Sequence, residues 1–183
     1  MKTIDKYINE RLHVTTKSFH ACKPKTKDEL REIIIQRIKE DGKKCDLNNI
    51  DVSDITDMSC LFNAGSWKFG NTIFKNFNGD ISMWDVSNVT NMTEMFWECK
   101  KFNCDLSRWN MSNVENTNNM FWGCEKFNCD LSKWDMSHVT DMHCMFQFCK
   151  NFKQNLDEWN VSKDVNMFDA FRGCATKPKW YKE

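Results

Sequence analysis

The chain has 183 residues, enough for one sizeable core or for one stack of small units. Its 26 basic and 26 acidic side chains cancel, so no overall field draws it to nucleic acid or to an acidic surface. With only 2 prolines and 6 glycines, it does not have the composition of a flexible or low-complexity segment.

The opening stretch, MKTIDKYINERLHVTTKSFH, has no apolar run of signal-peptide length, and no later window is long enough to span a membrane. The expectation is a cytoplasmic protein with no membrane segment. TKDELREIIIQRIKEDG then reads as a helix. Thr26 stands three residues before Glu29 as a capping box, Leu30, Ile33, Ile34 and Ile38 share one face, and Gly42 is the stop. Residues 1–45 are therefore expected to form an N-terminal helical cap.

From residue 46 to 175 the chain repeats itself. Trp84, Trp109, Trp134 and Trp159 stand 25 residues apart, as do Phe77, Phe102, Phe127 and Phe152, and Cys99, Cys124, Cys149 and Cys174. A fixed period of this length marks units that bury their apolar faces by stacking. Ile81, Trp84 and Val86 follow a Leu-x-x-Leu-x-Leu skeleton, repeated at Leu106, Trp109 and Met111, at Leu131, Trp134 and Met136, and at Leu156, Trp159 and Val161. A degenerate copy opens the array at Leu47, Ile50 and Val52. The alternation predicts a short strand. Ser87, Ser112, Ser137 and Ser162 are then placed as N-caps of short helices carrying Val89, Met92, Met95, Phe96 and Cys99. Between the first two units NAGSWKFGNTIFKN adds nine residues, with Gly65 and Gly70 marking a loop. Residues 176–183, with Trp180 and Tyr181, form a short C-terminal cap. The expected fold class is α/β: a leucine-rich-repeat-like right-handed solenoid of about five strand–short-helix units with an N-terminal helical cap.

The combination FNxDLSxWDVSNVTNMxxMFxxC resembles the BspA-like leucine-rich repeat, the type found in mycoplasma surface lipoproteins and in some phage and large-virus proteins. The likeness runs over roughly residues 46–175. It implies a repeat surface used for binding proteins, with no catalytic residues to carry over. The expectation, from the opening stretch as read, is a departure from the surface proteins, without their signal peptide or lipid-attachment cysteine.

Ten cysteines in a chain of this kind read as reduced thiols rather than as a disulfide framework. Cys99, Cys124, Cys149 and Cys174 stack in one column, Cys104 and Cys129 in a second. A straight column does not close a tetrahedron, so structural thiols are expected over a metal or redox centre, which stays open as a third reading. Asp80, Asp105, Asp130 and Asn155 precede each unit and are expected to cap turns rather than bind calcium. His13, His20, His138 and His143 are scattered, so no catalytic site and no cofactor is expected. CKKFNC and KPKWYK mix lysines with aromatics, but at net charge zero they argue only weakly for nucleic acid.

The expected function is non-catalytic binding of a protein partner by a monomer. One form would be a phage- or virus-encoded inhibitor of a host factor, acting in the host cytoplasm. The alternative is a surface or adhesion protein. The expected contact residues lie on the strand face: Met83, Asp85, Arg108, Asn110, Lys133, Asp135, Glu158 and Asn160. The competing surface is the inserted loop, with Trp67, Lys68 and Phe69 as anchors.

Overall fold

The computed structural model describes residues 22–65 and 70–182. Its first element, α1 (Lys27–Asp41), forms where the sequence places it. The Thr26 side chain accepts from the Glu29 amide at 3.2 Å, Asp28 and Glu29 sit in the first turn, and Gly42 ends the helix at φ 84°. That left-handed angle is one glycine adopts freely. The Glu29 carboxylate reaches back to the Lys25 amide at 2.9 Å, satisfying a second donor at this end. Leu30, Ile33, Ile34 and Ile38 are buried against the first repeat. Arg31 fastens the helix there, donating to the carbonyls of Cys60 and Leu61 with its guanidinium 4.9 Å over the Phe74 ring.

The repeats stack, but not as strand–helix units. Among the described residues the only other helix is a 3-10 turn, Thr72–Asn76, and no β-strand occurs. The expected α/β leucine-rich-repeat-like solenoid is thereby corrected. In place of strands there is a column of single parallel bridges, Asp57 to Asn91 to Asn116 to Asp141 to Asn166. The skeleton segments expected to be strands instead close tight turns, in which the amide of Trp109 bonds the carbonyl of Leu106 and that of Val114 bonds Met111. A backbone that turns every three residues cannot sustain a ladder of consecutive pairs.

The segments expected to be helices fail for a second reason. Alternate amides leave the unit altogether: those of Met92, Glu94, Phe96 and Glu98 donate to the carbonyls of Asn116, Asn118, Met120 and Trp122 in the next repeat. The amides between them, of Met95, Trp97 and Cys99, bond three residues back. Glu94 and Glu98 accordingly take φ of 55° and 59°, as do their counterparts Asn119 and Gly123 at 55° and 71°. A positive φ at every fourth residue interrupts any α-helix. The serines are not helix caps either. The amides of Ser87, Ser112 and Ser137 each donate to the side-chain oxygen two residues before, at 3.0–3.1 Å, which makes these Asx turns.

Each repeat is thus one rung of turns, and the core is built of aromatic columns. Phe62, Phe96, Phe121, Phe146 and Phe171 stack with centroids 5.2–5.5 Å apart. Phe77, Phe102, Phe127 and Phe152 form a parallel column at 5.9–6.1 Å. The tryptophans form a third, closed by Trp180 against Trp159 at 6.4 Å. The inserted segment is not all loop: Phe74, on the 3-10 turn, is fully buried against Phe62 and Phe77. At the far end Trp180 and Tyr181 set their rings edge-on to Phe171.

Candidate interaction surface

The position just before each column tryptophan faces outward. Met83, Arg108, Lys133 and Glu158 are all exposed, Met83 by 62%. They are held outward because the next residue is pulled in. Each indole Nε1 donates to a carbonyl in the preceding rung: Trp84 to Leu47, Trp109 to Ile81, Trp134 to Leu106 and Trp159 to Leu131, at 2.8–3.2 Å. The row has one side chain per rung, and Arg108 reaches back to within 4.0 Å of the Met83 sulfur.

Asp85, Asn110, Asp135 and Asn160 are exposed beside this row. Three of them are already engaged in the turns made with Ser87, Ser112 and Ser137. The serine hydroxyl and then its amide hold the carboxyls of Asp85 and Asp135 below the usual carboxylate range. This second row therefore shapes backbone as well as presenting charge. Although no strand underlies them, the two rows share one side of the stack. Trp67, Lys68 and Phe69 lie outside the described residues.

The thiols are structural in their geometry. Cys99, Cys124, Cys149 and Cys174 donate to the carbonyls of Phe62, Phe96, Phe121 and Phe146 one rung back, at 3.0–3.1 Å. Burial pushes the first three well above the ordinary thiol range and Cys174 up to about 12. Cys104 and Cys129 accept the amides of Ile81 and Leu106 and are pushed by burial to about 11. Among the described residues all ten cysteines are free, and no three metal-ligating side chains converge. Asp80, Asp105 and Asp130 accept the amides of Ser82, Ser107 and Ser132 at 2.9–3.0 Å, the turn-capping arrangement. His138 contacts the Ser137 hydroxyl at 3.2 Å, and His143 stacks on exposed Phe168.

The lysines of CKKFNC, which the sequence marks as a basic patch, belong to a longer row. The lysines of CKKFNC, EKFNC and CKNFK fall on one corner of successive rungs. The 25-residue period links Lys75 to Lys100 and Lys101 to Lys126, and was the signal that locates the row.

The family model described as Mycoplasma protein of unknown function, DUF285, matches residues 66–181, and the chain belongs to that family. The mycoplasma side of the resemblance holds at that level. No curated protein and no solved structure matches the chain. Among the described residues, no helix is long and apolar enough to cross a membrane.

Proposed function

We propose that this member of the DUF285 family is a non-catalytic protein-binding module. Its contact surface is the row Met83, Arg108, Lys133 and Glu158, flanked by Asp85, Asn110, Asp135 and Asn160. One observation carries the reading. The row is exposed in every regular rung and holds a different residue in each, while the tryptophan beside it is identical in all four. A position free of packing duty, varied along an otherwise repeated scaffold, is where a repeat protein can place recognition. Burial of the thiols supports the non-catalytic part, because a protonated, covered sulfur is a poor nucleophile. The finer family placement, among BspA-like repeats, rests on the motif FNxDLSxWDVSNVTNMxxMFxxC alone.

Affinity capture from the native host tests this, with wild type beside Arg108→Ala/Lys133→Ala/Glu158→Ala. The wild type should retain a saturable, stoichiometric protein partner, and the triple variant should lose it while unfolding at the same temperature. Undiminished capture by the triple variant overturns the site, and its loss on shortening the segment around 66–69 relocates it to the insertion. An inhibitor of a host factor and an adhesin are two forms such a binder can take. Surface labelling of intact cells separates them.

A further inference from the structure

Neutrality of the whole chain conceals a segregated surface. Backbone and side-chain bonds between rungs align one corner of the stack along its length. The Asn78 amide bonds the carbonyl of Lys43, the Lys100 amide bonds that of Lys75, and the amides of Asn103, Asn128 and Lys153 bond the Oδ1 of Asn78, Asn103 and Asn128. This register puts Lys44, Lys75, Lys101, Lys126, Lys150 and Lys153 on a single ridge, all of them exposed, and Glu125 bridges Lys150 and the neighbouring Lys100 at 3.6 and 3.2 Å. Among the described residues Lys44, Lys75, Lys101, Lys126 and Lys153 have no ion-pair partner. Five rungs at the parallel-bridge spacing make the ridge about 19 Å long, the span of roughly six extended residues.

We infer that this ridge docks an extended, carboxylate-rich segment of a partner protein. Three observations select that partner over other polyanions. The phenylalanines interleaved with the lysines, Phe77, Phe102, Phe127 and Phe152, are buried to within 1% and present no ring for a base to stack on. The ridge is narrow, because Asp80, Asp105 and Asp130 run parallel to it two residues beyond its asparagines and are exposed. A duplex or an anionic bilayer, broader than the ridge, would lie across those carboxylates, whereas a single extended chain would not. Finally, a depression of about 510 Å³ lies between Lys126, Lys150 and Lys153, open to receive acidic side chains.

The inference rests on the reading of the chain as a protein binder, and adds a second face to it. Its test uses a defined probe, so that its outcome does not depend on capture of the native partner. A fluorescent ten-residue peptide of alternating Glu and Ser is titrated with the full chain at low ionic strength and followed by anisotropy. Saturable binding at one site is expected. Lys101→Gln/Lys126→Gln/Lys153→Gln should weaken it about tenfold or more, and added salt should weaken it too. Lys25→Gln/Lys163→Gln/Arg172→Gln removes the same charge at positions outside the ridge's register and should leave the affinity within about twofold. Equal weakening by both triple variants overturns the proposal, since the attraction is then bulk charge. Tighter, ridge-dependent binding of a single-stranded oligonucleotide or of phosphatidylserine vesicles overturns it in favour of those ligands. Both triple variants change only exposed side chains, and an unchanged unfolding temperature confirms that each remains folded.

Discussion

The indole Nε1 of Trp134 donates to the carbonyl oxygen of Leu106 at 2.9 Å, while its ring lies parallel to that of Trp109 with centroids 6.5 Å apart. One side chain thus fills the core and ties its rung to the preceding one. Trp134→Ala should cost about 3–5 kcal/mol, the range for a large aromatic deleted from a packed interior. Trp134→Phe keeps most of the apolar volume and loses the donor. Because the Leu106 carbonyl still accepts the Trp109 amide, that variant should cost only about 1 kcal/mol beyond its smaller packing loss. Urea unfolding measures both. An alanine variant with the wild-type midpoint would show that the tryptophan column does not hold the stack.

The thiol columns predict alkaline sensitivity. Burial raises the folded-state values of Cys99, Cys124 and Cys149 well above the ordinary thiol range. The unfolded chain releases these protons near pH 8.5. Above that pH the unfolded state binds fewer protons than the native one, so stability is full below it and falls as pH rises toward the folded values. Each fully buried thiol steepens the fall by up to about 1.4 kcal/mol per pH unit. Urea midpoints measured between pH 7 and 10 should therefore drop, and Cys124→Ala should drop less steeply. The same three thiols should resist alkylation at pH 8 until denaturant is added. A midpoint flat to pH 10 would contradict their burial.

Why the tryptophan columns were legible and the secondary structure was not comes down to what a 25-residue period encodes. Identical residues at a fixed interval in a stack must meet, so Trp109, Trp134 and their neighbours could be read as core without knowing the path between them. Helix α1 was legible because Thr26, Gly42 and the isoleucine face all act within a few residues. The rungs misled because tight turns bonded three residues back place Val89, Met92, Met95 and Cys99 at intervals that mimic a helix. The amides that leave for the next rung and the φ angles at Glu94 and Glu98 distinguish the two, and neither residue type advertises a positive φ. The outward row from Met83 to Glu158 was readable from its place beside tryptophan. The lysine ridge was not, because summing charge over the chain erases where the charge sits.

The Asp105 turn separates a structural carboxylate from a merely acidic one. Its Oδ1 accepts the Ser107 amide at 2.9 Å, and Asn155 does the same for Asp157 at 2.9 Å in the last rung. Asp105→Asn should therefore stay within about 0.5 kcal/mol of wild type near neutral pH, whereas Asp105→Ala should cost about 1 kcal/mol by removing the acceptor. The Ser107 amide, with its hydroxyl, holds the Asp105 carboxyl below the usual range. That contribution is present above the unfolded value near 3.9 and is lost as pH falls through the folded one. The asparagine variant has no such proton to take up, so its stability relative to wild type should improve on acidification. An asparagine variant as unstable as the alanine at pH 7 would mean that the charge, not the turn, matters.

Arg31 gives the last prediction, which concerns how the helical cap is held. Its guanidinium serves the carbonyls of Cys60 and Leu61 at the open end of the first rung and covers the Phe74 ring. The side chain is half-buried between α1 and the stack, and that burial pulls its value down from the ordinary arginine range. Both bonds leave one nitrogen, Nη1, and lysine lacks the planar group that covers the Phe74 ring. Both Arg31→Lys and Arg31→Met should therefore destabilise the protein, by about 1.5–3 kcal/mol for the methionine, which leaves the carbonyls without that charged donor. The loss should be local first. Amide hydrogen exchange within α1 should quicken by more than it does in the interior rung 106–124, since the rungs keep their own inter-rung bonds. If Arg31→Met exchanges at the wild-type rate throughout α1, the cap is held by Leu30, Ile33, Ile34 and Ile38 alone, and the carbonyls of the first rung need no partner from the helix.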